Sequence, residues 1–348
     1  MLNAPITTED SLKIPRHGQL VVWAVSDGRA GIHNQVLGLA EAIADLTPAN
    51  VVVRHIRYRR MFDRWPTFLR LFPHLMLKRD SDPVGRPWPD IWIAAGRATL
   101  PHSKRVKKLS NGQTLVVQLQ DPREASKRFD MVIAPLHDQV KGDNVLSIQG
   151  STHRVTPERL KREAAPWAER LSAFDGPFLT VLIGGKSKSH TISAERAEAL
   201  VQQIRIAVKS KKATLLLSVS RRTPDDARKV LMEGLKDLPG ILYDGKGENP
   251  YFAFLNAADF LMVTEDSVNM AAEASATGKP VHILSMDARG SGAKFGRFHQ
   301  GLQDYGAARP WSGELRQWKY TPLNETRRAA EAVLALYAEK HPDRRAKG

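Results

Sequence analysis

Cysteine is absent from all 348 residues. No disulfide, thiolate nucleophile or cysteine metal site is open to this chain, which fits a reducing compartment. Long apolar runs are missing as well. No stretch reaches the ~18 consecutive apolar residues of a membrane span. Glu9 and Asp10 stand where a signal peptide would be basic or apolar. The expectation is a soluble or peripheral, cytoplasmic protein. Low-complexity sequence is lacking, and no zinc-finger, RNA-recognition or basic-zipper pattern occurs. Negative charge is in short supply: 37 Asp and Glu face 52 Lys and Arg, a formal net charge of +15. Such an excess attracts polyanions. The expected partners are an anionic membrane surface and nucleotide phosphates, with no specific nucleic acid. Plain solubility charge accounts for much of the same excess.

A hydrophobic content of 42% supports full cores, and the length suits two domains. Residues 19–25, 51–56, 91–95, 114–119 and 131–134 read as buried strands. Residues 34–46 read as a helix with Val36, Leu37, Leu39, Ala40 and Ile43 on its apolar side. The charged stretch from Pro157 to Pro177 interrupts the pattern and reads as a linker. Strand-like runs then restart at 178–183, 213–219, 240–243, 256–263 and 280–284, with a Ser193-capped helix over 193–209. Residues 324–340 form an alanine-rich amphipathic helix. Alternating strands and helices imply parallel sheets covered on both faces, hence an α/β fold of two Rossmann-like domains facing a cleft. The expected division is 1–160, a linker over 161–177, 178–323, and 324–348 as a helix crossing back to the first domain.

Chemistry concentrates at strand ends, where open α/β sheets bind ligands. Thr264-Glu265-Asp266-Ser267 closes one strand and opens a short helix that carries Glu273. A helix start with hydroxyls and orphan N–H groups suits a phosphate. A carboxylate six residues on can accept from ribose hydroxyls. An ordinary helix capped by Asp266 or Ser267 explains the same residues. Ser220-Arg221-Arg222 follows a strand, and two guanidinium forks there can clamp a diphosphate. Gly184-Gly185 lets backbone approach a ligand, though its spacing to Lys186-Ser187 is not that of a Walker loop. Glu248 to Asp259, with Asn249-Pro250-Tyr251 at its head, resembles a base-binding loop leading into a helix, and a proline-opened helix with Phe252 and Phe254 in the core explains the same stretch. In the first half Gly28 and Gly31 make a loop that a phosphate can enter, and Asp27, His33 and His153 are candidate general bases. Arg57 to Arg79 mixes basic and large apolar side chains, the composition of a surface helix on anionic lipid. Packing against the domain explains the same segment equally well.

Ser26-Asp-Gly-Arg-Ala-Gly-Ile-His-Asn-Gln, Ser218-Val-Ser-Arg-Arg-Thr-Pro and Thr264-Glu-Asp-Ser-Val-Asn-Met-Ala-Ala-Glu-Ala with Gly278-Lys-Pro-Val resemble bacterial members of the elongated-mitochondria family, across nearly the whole chain. The second half is more distantly similar to GT-B glycosyltransferases. That resemblance implies a first domain for the acceptor and a second for a nucleotide-sugar donor, held through Ser267 at the diphosphate and Glu273 at the ribose. It implies transfer of a sugar to a lipid-linked or envelope acceptor at the cytoplasmic membrane face, with no cofactor and no required metal. A non-catalytic adaptor of the same fold, serving membrane remodelling or division, is the competing expectation. Nucleic-acid binding driven by charge is a third.

Overall fold

A computed structural model describes residues 18–59, 62, 72–187, 189–289 and 292–342. The chain forms two compact units. One runs through Arg154 and resumes at Asn324, and the other spans Val155–Leu323.

The first unit is a six-stranded parallel sheet made of β1 (Leu20–Ser26), β2 (Ala49–His55), β3 (Ile91–Ala95), β4 (Leu115–Leu119), β5 (Met131–Pro135) and β6 (Val145–Ile148), with α1 (Ala30–Leu46) and α2 (Leu100–Leu109) between strands. Its order is β2-β1-β3-β4-β5-β6. Both faces of the sheet are covered, which is why its strands read as unbroken apolar runs. Val22, Ala24, Ile91 and Ile93 meet Val36, Leu39 and Ile43 of α1 on one face. Their alternate neighbours Trp23, Val25, Trp92 and Ala94 meet Leu100 and Val106 on the other. Helix α1 begins at Ala30, four residues before the expected start, because the Gly28 turn leads straight into it from an extended Arg29.

The second unit contains α3 (Pro157–Ala164), α4 (Ala168–Ser172), β7 (Phe178–Ile183), β8 (His190–Thr191), α5 (Ala194–Lys211), β9 (Thr214–Val219), α6 (Asp225–Leu235), β10 (Gly240–Tyr243), α7 (Tyr251–Ala257), β11 (Phe260–Thr264), α8 (Val268–Ser275), β12 (Val281–Leu284), β13 (Asp287–Ala288), α9 (Ala293–Asp304) and β14 (Ala308–Pro310). Its parallel sheet runs β10-β9-β7-β11-β12-β14. Numbered from β7 along the main sheet, this is the 3-2-1-4-5-6 order of nucleotide-binding folds. Leu179, Val181 and Ile183 pack under α5 and α6. Leu182 and Val263 pack on the opposite face with Ala271 and Phe298.

The stretch expected as a linker is part of this unit. Leu160 joins the core, and Ala164 and Trp167 pack on Ala253. Pro157 stands in the first turn of α3 and Thr156 caps it, accepting from Arg159 N. A proline there opens a helix instead of breaking one. The run 256–263 is likewise not one strand. Helix α7 ends at Ala257, and Asp259 accepts from Phe178 N at 2.8 Å before β11 begins.

The last helix, α10 (Glu325–Lys340), buries Ala329, Ala330, Val333 and Tyr337 in the α1 face of the first unit. Thr326 Oγ1 accepts from His153 N at 2.9 Å. Gly38 of α1 lies against the His153 carbonyl, so a Cβ there would collide with backbone. Gly38→Ala therefore sets a helix-propensity gain of about 1 kcal/mol against overpacking of about 1–3 kcal/mol on a neighbour that cannot rotate away. A net loss of up to about 2 kcal/mol is expected, and urea unfolding measures it.

Candidate functional site

The strand order of the second unit reverses between β7 and β11. Ligands of open α/β sheets lie outside the carboxyl ends of the strands at such a switch point. Three sequence motifs meet there. Thr264 Oγ1 accepts from Gly184 N at 2.7 Å and donates to Asp266 Oδ1 at 2.8 Å. Asp266 Oδ2 accepts from Gly185 N at 3.0 Å and from Arg222 Nη2 at 3.1 Å. Thr223 donates its hydroxyl to the Gly184 carbonyl, and Lys186 N donates to Arg222 O at 2.9 Å. Both glycines are demanded by this closeness. A Cβ on Gly184 would land on the Asp266 carboxylate, and one on Gly185 on the Arg222 backbone.

This arrangement revises the roles read for Thr264 and Asp266. The Asp266 side chain is fully buried and spends its oxygens on Gly185, Thr264 and Arg222. It locks three loops together instead of facing a ligand. Ser267 caps α8, accepting from Met270 N at 3.3 Å, and so sets the first turn of that helix at the strand end. Arg221 is exposed, and Arg222 is about half exposed, 47%, despite its ion pair. Both keep surface for an anion. Ser220 Oγ accepts from Arg222 N at 3.2 Å and shapes the turn that presents them.

Glu273 lies on α8, buried, and its Oε2 accepts from the Tyr251 hydroxyl at 2.5 Å. Burial, followed by the charge of Glu273, raises the Tyr251 pKa well above its ordinary value, so the hydroxyl remains a donor. Asn249 Oδ1 accepts from Tyr251 N at 3.1 Å and fixes the start of α7. The pair Tyr251–Glu273 ties the start of α7 to α8, and the triad Arg222–Asp266–Gly185 ties together the loops after β9, β11 and β7. Sequence reading missed Thr223 and Arg228 as organisers. Arg228 reaches the carbonyls of Ser220 at 3.1 Å and Thr223 at 3.3 Å, and also that of Asp244. Thr223 stood inside a recognised motif, whereas Arg228 sits on the body of α6 with no local signal.

The first-unit candidates separate. Asp27 forms an ion pair with Arg29 at 2.6 Å and lines a cavity with it. Gly28 adopts φ +80° at the end of β1, and Gly31 lies in the first turn of α1. His33 rests on the His55 ring at 5.2 Å, and burial, then His55, lowers its pKa. His153 is buried, and burial alone pulls its pKa down to about 4. A group that weak takes up a proton poorly at neutral pH, and its backbone is committed to Thr326 and to packing against Gly38. The proposed lipid-facing segment is only partly described. Residues 60, 61 and 63–71 lie outside the described residues, while Arg57 and Lys78 line the Asp27 cavity. Among the described residues no helix is long and apolar enough to cross a membrane.

Comparison with known proteins gives the fold class and the family. A UDP-GlcNAc 2-epimerase from Methanocaldococcus jannaschii overlays with a TM-score of 0.56 at 13% identity, over 91% of this chain and 99% of that one. The same enzyme in complex with UDP-GlcNAc and UDP overlays with a TM-score of 0.51 at the same identity and coverage. The fold is GT-B-like. The Arabidopsis thaliana mitochondrial fission protein ELM1 is 29% identical over 272 residues, 70% of this chain. The chain spans 63% of that relative's length. The protein RP120 of Rickettsia prowazekii is 24% identical over 353 residues, 90% of this chain and 97% of its own. Residues 30–337 match the family described as Mitochondrial fission ELM1, and the chain belongs to that family.

Proposed function

We propose that this protein transfers a sugar from a nucleotide-sugar donor to a lipid-linked or envelope acceptor at the cytoplasmic membrane face. The observation that carries the reading is the Arg222–Asp266 ion pair, which joins an arginine of the exposed Arg221-Arg222 turn to the capped start of the helix that bears the buried Glu273. Each suits one part of a nucleoside diphosphate. Arg221 and Arg222 supply forked donors for the phosphates. The first turn of α8 supplies the positive end of a helix dipole. Glu273 supplies an acceptor for ribose hydroxyls. An epimerase of the same fold is known in complex with UDP-GlcNAc and UDP, which supports a nucleotide sugar as the class of ligand. The leaving diphosphate gains its stabilisation from fixed cations and dipoles. Asp27 is the proposed base, because it opens to a cavity while His153 does not.

Arg221→Ala/Arg222→Ala is expected to lower affinity for a nucleoside diphosphate by at least about tenfold and to leave the weak binding of the bare nucleoside unchanged. Calorimetry with both ligands measures this. Equal losses for the two remove the phosphate role. The Arabidopsis relative is named for mitochondrial fission, and the competing reading is a non-catalytic adaptor of the same fold. That reading predicts no turnover of any nucleotide sugar by a protein that still folds.

A further inference from the structure

The first unit has its own switch point. Its strand order β2-β1-β3-β4-β5-β6 reverses between β1 and β3, the position where flavodoxin-like sheets hold their ligand. A cavity of about 410 Å³ opens at these strand ends. That volume lies in the ~300–1,000 Å³ range of small-ligand pockets. Its walls carry four cations, Arg29, Arg57, Lys78 and Arg97, against one carboxylate, Asp27. Arg29 pairs with Asp27 at 2.6 Å and Arg57 with Asp80 at 3.0 Å. Among the described residues Lys78 and Arg97 have no ion-pair partner.

Two glycine turns bring these groups together. Gly28 ends β1 at φ +80° and Gly96 follows β3 at φ +87°. A Cβ on Gly28 would stand 3.8 Å from Arg57 Nη2, and one on Gly96 3.7 Å from Arg29 Nη2 and 3.3 Å from Asp27 Oδ2. The guanidinium groups therefore lie over the bare backbone of both turns. Tyr58 fixes the wall by donating to the Ala98 carbonyl at 3.1 Å. With Arg29 and Arg57 each paired to a carboxylate, Lys78 and Arg97 are the uncompensated excess, and an anion inside offsets it. A carboxylate ligand carries one charge. A phosphomonoester or pyrophosphate carries more, with oxygens that match guanidinium forks.

We infer that the Arg29–Arg57–Lys78–Arg97 cavity binds a phosphomonoester or pyrophosphate group. As the acceptor's anchor, this inference rests on the transferase reading above; as an anion site, it stands alone. Asp27 lies at the same cavity, so a hydroxyl on the phosphate-bearing molecule is within the neighbourhood of a carboxylate base.

The test titrates the full chain with inorganic pyrophosphate by calorimetry, at low and raised salt. In parallel, vesicles containing phosphatidic acid are compared with vesicles of equal charge containing phosphatidylglycerol. Lys78→Ala/Arg97→Ala removes two cations that hold no carboxylate, and thermal melting checks its fold. Loss of about tenfold or more in either arm on this double substitution supports the site. The arm that responds says whether the phosphate is soluble or lipid-borne. Binding in neither arm, binding unchanged by the substitution, or loss seen only with Arg221→Ala/Arg222→Ala overturns it. UDP binding is measured on the same samples. If no nucleotide binds but pyrophosphate does, the transferase reading fails and the anion site remains.

Discussion

Glu273→Ala is expected to weaken binding of a nucleoside diphosphate by about 1.5–3 kcal/mol, the scale of a hydrogen bond to a charged group. Calorimetry would show this as a drop of roughly ten- to a hundredfold. The carboxylate is buried and already accepts from Tyr251 at 2.5 Å, so its orientation is set before any ligand arrives. Removing it also leaves the Tyr251 hydroxyl short of its acceptor. A fall in affinity could then come from a disturbed α7 instead of a lost ribose contact. Tyr251→Phe separates the two effects. It keeps the carboxylate and removes only the internal donor. The ribose role predicts that Tyr251→Phe retains most of the affinity and that Glu273→Ala does not. A nucleoside diphosphate bound equally by wild type and Glu273→Ala contradicts the role.

Asp266→Ala is expected to be the most destabilising single change at the site, by about 3 kcal/mol. The figure follows from two buried donors, Gly185 N and the Thr264 hydroxyl, each costing about 1–3 kcal/mol when left without an acceptor. Arg222 adds little to the penalty. It is half exposed and can turn to water, so no buried charge is stranded. Asp266→Asn retains an acceptor oxygen and the side-chain shape, and is expected to lose less. Urea unfolding of both variants provides the comparison. A wild-type midpoint for Asp266→Ala would mean that the three loops do not depend on this carboxylate.

Much of the scaffold is visible in local sequence. Val22 to Val25, Leu179 to Ile183 and Leu215 to Leu217 are buried on both faces, and that forces continuous apolar runs. Ser193 and Ser267 mark the starts of α5 and α8, because a short hydroxyl side chain bonds the third N–H along. The start of α1 was less visible, since Arg29 precedes it without a side-chain cap bond. The edge strand β14 was missed because three residues ending in Pro310 carry too little pattern. Proline at 157 and 177 suggested a linker, yet Trp167 seats against Phe254 with ring centroids 6.2 Å apart.

The site was legible as residue types and illegible as connections. Arg221, Arg222, Asp266 and Glu273 were recognisable from their places after strands. That Asp266 would face Gly185 and Arg222 depends on β7, β9 and β11 lying side by side, which no local window encodes. The same holds for the first unit. Arg57 and Lys78 read as part of a lipid-facing stretch, and Arg97 carried only the weak cue of following β3. The register of β1 with β2 and β3 makes them one cavity.

The most direct test is a binding screen of the full chain against UDP-, GDP-, ADP- and CMP-sugars, read by thermal shift and then calorimetry. The proposed donor site predicts saturable binding of one nucleotide class, with stabilisation of about 2.7 kcal/mol at a hundredfold excess over Kd. It also predicts that this binding weakens in Glu273→Ala and in Arg221→Ala/Arg222→Ala. Folded wild-type protein that binds none of the four classes, at concentrations where the archaeal epimerase binds UDP-GlcNAc, would contradict it.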